Sequence, residues 1–460
     1  MRSIMTACCL LCACVPVDEQ NLGFSAVGAP RWAMTFGGLY NDAGLAVAID
    51  SIGDAVAVGY TLGAPNSQGI QPATGFVTKR AASDGSERWT ILFGPTTPQS
   101  GVNVSSVAID GEDSVVITGN YVGTVDFGGQ QLVAGSGDMF LARYSSDGHL
   151  QWVHGLNPTS GASGCGLAID SVGRIVVAGT FGGSLVFGGT TYTESDGDID
   201  MFLAAFDPAG ALLWGEAFQS IGARPVGVAV DSSDSVLLTG TIAAPASFGG
   251  AILDPAGSYR AFLARYRKDG LYVSSQVLGA AGPGQSNATQ VATDHSDHVI
   301  VQTNEQADGN YRTYAYGVVH VLDVDDQELW SAELVDHGDV SPLHRTLATA
   351  PSGLIVSSAW TDSPYNADHR DQVTGSMEVV AYDPSGHGTT SSFGTRLLGG
   401  LWETSAVGST VGSTGTVAYI GSFAGAVDFG TGPMHSQSQN ENDTDDFIVL
   451  LDPPTRAVPN

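Results

Sequence analysis

Beyond residue 14 the chain has one cysteine, Cys165, so neither a disulfide framework nor a cysteine-rich zinc module can hold its body together. Cys165 stands at the start of an apolar strand and reads as an inert buried thiol. Basic residues are scarce: 17 Lys and Arg face 47 Asp and Glu, a formal net charge of −30. That balance excludes the basic face needed to grip nucleic acid or to adsorb on anionic lipid. No stretch of helical period and useful length interrupts the chain, and no Pro/Ser linker or charge run divides residues 31–452. One all-β domain is therefore expected, with 61 glycines to serve its turns.

What the chain does have is a repeat. Ala48-Ile49-Asp50, Ala108-Ile109-Asp110, Ala168-Ile169-Asp170, Ala229-Val230-Asp231 and Ala292-Thr293-Asp294 recur at steps of 60, 60, 61 and 63 residues. Such a period means one supersecondary unit copied along the chain, each copy burying its apolar face on its neighbour. Each unit reads as four short strands. In the second these are Val104–Asp110, Ser114–Gly119, Asp138–Tyr144 and Leu150–Leu156, separated by Gly, Asp and Ser clusters.

Counting units decides the architecture. Gly53, three residues after Asp50, recurs as Gly173, Gly353 and Gly415, which brings in two units whose aspartate is replaced by Ala350 and Gly412. Seven units then start near residues 44, 103, 164, 225, 288, 344 and 405. The seventh lacks a fourth strand after Asp446–Leu451, while Arg31–Gly37 is a spare fourth strand ahead of the first. This complementarity predicts a seven-bladed β-propeller closed by an N-terminal strand that completes the last blade, which removes exposed sheet edges. An open β-solenoid is the runner-up, but it would need capping units.

Residues 36–61, with the glycine pair Gly37-Gly38, the strand Ala46-Val47-Ala48-Ile49-Asp50, the turn Ser51-Ile52-Gly53 and the strand ending Val58-Gly59, resemble the SBBP-type bacterial β-propeller repeat. Asp138–Tyr144 and Asp147-Gly148 resemble it too, and the likeness covers residues 31 to about 452. It implies a secreted or surface protein of bacteria and assigns no reaction.

The leader carries Arg2 and an apolar stretch, Ile4–Leu11, too short to span a bilayer. Leu11-Cys12-Ala13-Cys14 resembles the bacterial lipobox, which implies that Cys14 becomes the acylated N-terminus. The expected organisation is a signal peptide over 1–14, a flexible tether over 15–30, the propeller over 31–452 and a tail over 453–460. The location is then extracytoplasmic, as a membrane-anchored lipoprotein or a secreted protein, with the membrane touched only through the lipid.

Motifs for chemistry are sparse. Asp84-Gly85 before Trp89 and Asp147-Gly148 before Trp152 resemble the Asp-box of sialidase propellers, but there the glycine does not directly follow the aspartate. A type I′ hairpin turn explains the pair by backbone geometry, with the Trp capping the blade core. Quinoprotein propellers share the Gly-then-Trp rhythm, yet the vicinal cysteines of that class have no counterpart outside the leader. Phe127, Phe187, Phe248 and Phe429, each before glycine, read as core plugs. Asp294-His295-Ser296-Asp297-His298 holds a His-x-x-His spacing, which a short turn seldom aims at one metal, so solvated turn polars are expected.

Seven of the ten histidines, at 295, 298, 320, 337, 344, 369 and 387, fall in units five and six. Asp336 and His337 lie between those units and His369 and Asp371 within unit six, on connections that share one rim if strands run outward from the axis. These four are the candidate polar anchors and weak metal candidates. No catalytic or cofactor-binding residue is assigned and no cofactor is expected, a divalent cation such as calcium on the acidic rim being the sharper alternative.

The connections over 61–74, 123–137, 183–199, 245–260, 361–374 and 424–445 vary in length and composition, whereas the other turns stay near Asp-Ser-x-Gly and Ser-x-Asp-Gly. Long loops on a rigid scaffold are where binding residues sit. The leading expectation is a monomeric binding or scaffolding module for a protein or glycan partner rather than an enzyme. The alternative is an extracytoplasmic polysaccharide hydrolase or lyase using rim carboxylates. Mass spectrometry of the mature protein is expected to find a chain beginning at acylated Cys14, and an intact Met1 would refute the anchor.

Overall fold

A computed structural model of the chain describes residues 28–67, 69, 71–94, 100–194, 199–218, 224–279, 284–306, 316–333, 343–350, 352–361, 376–382, 385–386, 388–394, 405–423, 425–437 and 444–453. It is all-β and forms a seven-bladed β-propeller. Blade one comprises Asp42–Ile49, Ala55–Leu62, Ala73–Arg80 and Glu87–Phe93, paired antiparallel in that order and designated strands A to D. Blades two to six repeat the order, their A strands being Gly101–Ile109, Ala162–Ile169, Arg224–Val230, Gln285–Thr293 and Leu343–Thr349.

Blade seven takes A, B and C from Ser405–Val411, Val417–Phe423 and Asp445–Leu451, and its D strand from Pro30–Phe36 at the other end of the chain. Pro30 pairs with Leu451 and Phe36 with Asp446, which is the closure expected from the spare strand. Adjacent A strands pack in ring order, and that of blade seven packs on that of blade one. Every A strand carries a one-residue bulge at the same place, at Leu45, Ser105, Cys165, Val226, Thr289, Arg345 and Val407. Bulges bend a strand and strengthen its twist, as a tight inner ring needs.

The core lies between blades. One cluster joins Val56, Val58, Val77 and Phe93 of blade one to Val102, Ile117 and Phe140 of blade two. The B-strand glycines permit this density: a Cβ on Gly119 would lie 1.9 Å from the Asn103 carbonyl oxygen and 3.0 Å from the Phe140 ring. Phe127, Phe187, Phe248 and Phe429 are buried plugs as expected, and the Tyr144 and Tyr266 hydroxyls donate to the carbonyls of Phe127 and Phe248, both at 2.9 Å.

Two details depart from expectation. The third strand of blade two begins at Gln131, because a hairpin with Val115–Asp126 extends beyond the blade. The Asp-Gly turn is not type I′, which needs positive φ at both central residues. In blade two Gly148 N donates to Ser145 O at 2.9 Å, and within 145–149 only Gly148 has positive φ, 87°. The geometry is that of a type I turn closed by a left-handed glycine.

That glycine has a second duty. The D-strand Trp reaches across to the C–D turn of the next blade. Trp32 donates its indole N–H to Ala82 O at 3.2 Å, Trp89 to Ser146 O at 3.0 Å, Trp152 to Pro208 O at 3.1 Å and Trp214 to Lys268 O at 3.0 Å. Each ring lies on the turn glycine, so a Cβ on Gly148 would come within 2.9 Å of Trp89 and one on Gly270 within 2.7 Å of Trp214. The Trp expected to cap its own blade latches the neighbouring one.

The latch lapses where its partner changes. Blade four has Ser274 in the Trp place, opposite Arg265, and the next turn has Asp326 in the glycine place with φ 60°. Ser274 donates to Asp326, and Arg265 pairs with the same carboxylate at 2.6 Å. Blade six has Thr389 there, and blade seven offers no C–D turn because its D strand is the chain's beginning. Trp89→Phe, which loses one hydrogen bond, is expected to cost about 1 kcal/mol in denaturant unfolding. Gly148→Ala, which adds backbone strain to a ring clash, is expected to cost more, about 1–3 kcal/mol. Equal effects, or none, would remove the latch from the account.

Candidate functional site

The A–B turns occupy one rim, and their chemistry is directed inward. In blade one Asp50 Oδ1 accepts from the amides of Ile52 at 3.0 Å and Asp54 at 2.8 Å, closing the turn. Asp110, Asp170, Asp231 and Asp294 accept from the corresponding amides two and four residues on. The second oxygen meets a basic side chain, and all five aspartates are only 1–6 % exposed. Lys79, Arg143 and Arg265 supply that cation from one position on strand C, at 2.7, 2.5 and 2.7 Å.

In blades three and five that position is Ala205 and Val321, and Arg174 and His298, four residues after the aspartate, take over. Blades six and seven lack the aspartate and carry Ala381 and Leu450 at the cation position. An uncompensated buried charge is costly, so the pair is lost together.

Adjacent turns are clamped as well. Asp113, in the left-handed position where blade one has Gly53, accepts from Ser51 N at 2.9 Å and Ser51 Oγ at 2.6 Å. Asp297 does the same to Ser232, and Asp234 accepts from Ser171 N at 3.1 Å. Burial opposes the charge on Asp113, but the Ser51 donors hold its pKa below the usual carboxylate range. For Asp297 the Ser232 hydroxyl and amide do so. The His-x-x-His turn is absorbed into this scheme: His298 Nδ1 lies 2.9 Å from Asp294, Asp297 serves Ser232, and His295 Nε2 lies 3.5 Å from Ser296 Oγ. Among the described residues no group of three metal-ligating side chains is present.

The A strands line a central cavity of about 510 Å3 with mostly small side chains. Ser105 closes part of it by donating to Gly164 O at 2.7 Å. Cys165 borders it as a half-buried thiol whose pKa burial pushes up to about 11, so it stays protonated and unreactive.

The opposite rim carries the B–C and D–A connections. Blades two, three and seven extend hairpins there, over 123–134, Ser184–Thr193 and 426–435, and blade four adds a bridge between Ala246 and Leu253. Val133, Val186 and Ile252 stand exposed on these extensions. Asp336, His337, His369 and Asp371 lie outside the described residues, as do Cys14 and the rest of residues 1–27.

On this rim the structure assembles a group the sequence reading passed over. Asp42, Asp445 and Asp446 meet where blade seven closes on blade one, and are 2, 1 and 0 % exposed. Gly38 N donates to Asp42 Oδ2 at 2.5 Å, Gly44 N to Asp446 Oδ1 at 2.6 Å and Gln437 N to Asp445 Oδ2. Asp445 Oδ1 and Asp446 Oδ2 are buried without a hydrogen-bond partner among the described residues. Burial, with the charges of Asp42 and Asp445, pushes Asp446 well above the usual carboxylate range, and burial raises Asp445. A signal existed: the C strands of blades two and three carry Asp138-Met139 and Asp200-Met201 at this place, and Asp446 takes the methionine position.

Blade five replaces part of its apolar core with charge. Buried His320 lies between Glu305, 3.1 Å from Nε2, and Glu328, 3.0 Å from Nδ1. Burial alone would lower its pKa, but the hydrogen bonds and charges of both glutamates outweigh that and push it up to about 9. A raised pKa stabilises the fold fully below the unfolded value of about 6.5, and that contribution is lost as pH rises through about 9. His320→Gln is expected to remove this alkaline loss of stability, read as thermal midpoint against pH. An unchanged slope would count against the charged triad.

Fold and rims define a β-propeller whose blades are locked by polar turns. No family model matches the chain. It is 28% identical over 198 residues to an uncharacterized WD repeat-containing protein of Acanthamoeba polyphaga mimivirus, covering 38% of this chain and 14% of that protein. It is 27% identical over 199 residues to the regulatory protein FlaEY of Caulobacter vibrioides, covering 42% of this chain and 20% of that one. The chain thus spans a fifth or less of these relatives.

Similar solved structures include a protein of unknown function from Dyadobacter fermentans, at TM-score 0.44 and 10% identity over 76% of this chain and 95% of that one. Another is a PL25 ulvan lyase, at TM-score 0.48 and 8% identity over 84% and 93%. No helix among the described residues is long and apolar enough to cross a membrane.

Proposed function

We propose that this propeller is an extracytoplasmic binding or scaffolding module, anchored through Cys14 or secreted, that engages a protein or glycan through the rim bearing its B–C and D–A connections. One observation carries the reading. The opposite rim spends its polar groups on the ring itself: the five turn aspartates bind their own turns and a basic side chain each, and Asp113, Asp234 and Asp297 bind neighbouring turns. Loop length and composition vary on the other side, where the extensions of blades two, three and four carry exposed Val133, Val186 and Ile252. A rigid ring with one committed rim and one variable rim suits recognition.

The WD repeat-containing relative supports a repeat scaffold. A polysaccharide hydrolase or lyase would need carboxylates open to a chain-like substrate, whereas the converging acids at the seam are closed to solvent.

The test uses the full chain on glycan arrays and against envelope proteins. Alanine at Asp336, His337, His369 and Asp371, or Asp at both Val133 and Val186, is expected to weaken binding at least tenfold, about 1.4 kcal/mol. Ile52→Asp with Val172→Asp, on the opposite rim, is expected to leave binding intact. Binding lost only in the second pair would reverse the assignment.

A further inference from the structure

The ring closes at a place that electrostatics would ordinarily avoid. Strand C of blade seven ends its pairing with Pro30–Phe36 at the Phe36–Asp446 pair, and the Asp446 side chain there turns to the first blade. Its Oδ1 accepts from Gly44 N at 2.6 Å, across 402 residues of sequence, and from Ser422 Oγ at 3.1 Å. The same seam is stitched by Asp42 N donating to Thr444 O at 2.9 Å and Thr444 Oγ1 to Asp42 O at 3.2 Å.

Asp42 and Asp445 turn toward each other around Gly37, where a Cβ would stand 2.6 Å from Asp42 Oδ2 and 2.8 Å from Asp445 Oδ1. Among the described residues, the titratable groups facing this point are Asp42 from strand A and Tyr60 from strand B of blade one, and Asp445 and Asp446 from strand C of blade seven. Strand B of blade seven gives the neutral Ser422, and among the described residues no cationic side chain offsets Asp445 or Asp446. Asp445 and Asp446, adjacent and buried beside Asp42, cannot both be charged cheaply without a counter-charge, and an oxygen with no donor makes the charged form worse.

We propose that Asp445 and Asp446, packed beside Asp42, hold a proton between them at neutral pH and that this proton latches the propeller shut. When it leaves to solvent base, an uncompensated anion remains in the one seam where the ring has no covalent continuity. The seam opens locally while the other blades persist, because they do not depend on it for their own sheets. The sign follows from proton linkage: carboxyls that bind a proton more tightly when folded lend stability at low pH and lose it as pH rises.

Amide hydrogen exchange on the full chain reads this locally. Between about pH 5.5 and 8.5, protection of residues 30–36 and 445–451 is expected to fall at least tenfold relative to the strands of blade three, a tenfold change corresponding to one unit of pKa difference. Because His320 sits in blade five, its own pH response falls on different amides.

Asp446→Asn, neutral and of the same shape, is expected to keep the seam protected across that range and to remove its pH dependence. Should that variant fail to fold, the wild-type profile and Asp42→Asn decide. Three results would overturn the proposal. One is seam protection that does not change with pH. Another is an Asp446→Asn seam as pH-dependent as the wild type. The third is restoration of the wild-type seam at high pH by added calcium chloride but not by acid, which would assign the site to a metal instead of a proton.

Discussion

A single blade of this protein leaves an indole N–H, a turn serine and an apolar face unmet, and the next blade completes them. The A–B turn aspartate finds its base within its own blade, as Asp50 does in Lys79, but the turn's serine is met by a carboxylate of the next blade, as Ser51 is by Asp113. The C–D turn needs a left-handed residue, and the glycine that provides it leaves a flat surface on which the preceding blade's Trp lies and donates. Apolar clusters follow the same rule, since they form between sheets. Stability is therefore shared around the circle, as in other repeat architectures where interfaces rather than units carry the energy.

Interdependence of this kind explains how the repeats diverge. Where Ser274 replaces Trp, Asp326 replaces glycine and pairs with both Ser274 and Arg265. Where strand C gives Ala205 instead of a cation, Arg174 appears four residues after the aspartate. Asp113, Asp234 and Asp297 stand where other units have glycine, each facing a serine of the preceding turn, while Gly173 follows a turn in which Gly111 holds the serine place. Single substitutions here would leave a buried charge or an empty contact, so the changes come in matched sets.

This division of labour also separates the two rims. One is consumed by holding the circle together and varies little. The other inherits the connections whose length the ring does not constrain, and with them the acid seam and the exposed hairpins. Binding at that rim and closure at that rim are thus neighbours in space, though they rest on different residues.

The sequence by itself determined the strand-rich class, the sevenfold count and the closing strand, because each follows from a period and from turn chemistry that are local in the chain. It also showed the aspartates, the glycines and the tryptophans as recurring letters. Their purpose it did not show: the Asp-Gly pairs read as type I′ turns and the Trp as a cap on its own blade, since both readings use only nearby residues. The latch from Trp89 to Ser146, the clamp from Asp113 to Ser51 and the meeting of Asp42 with Asp446 join positions 57, 62 and 404 residues apart. Such pairings are decided only when the sheets stack and the ring closes, because burial, which makes an unmet charge or donor expensive, does not exist until then.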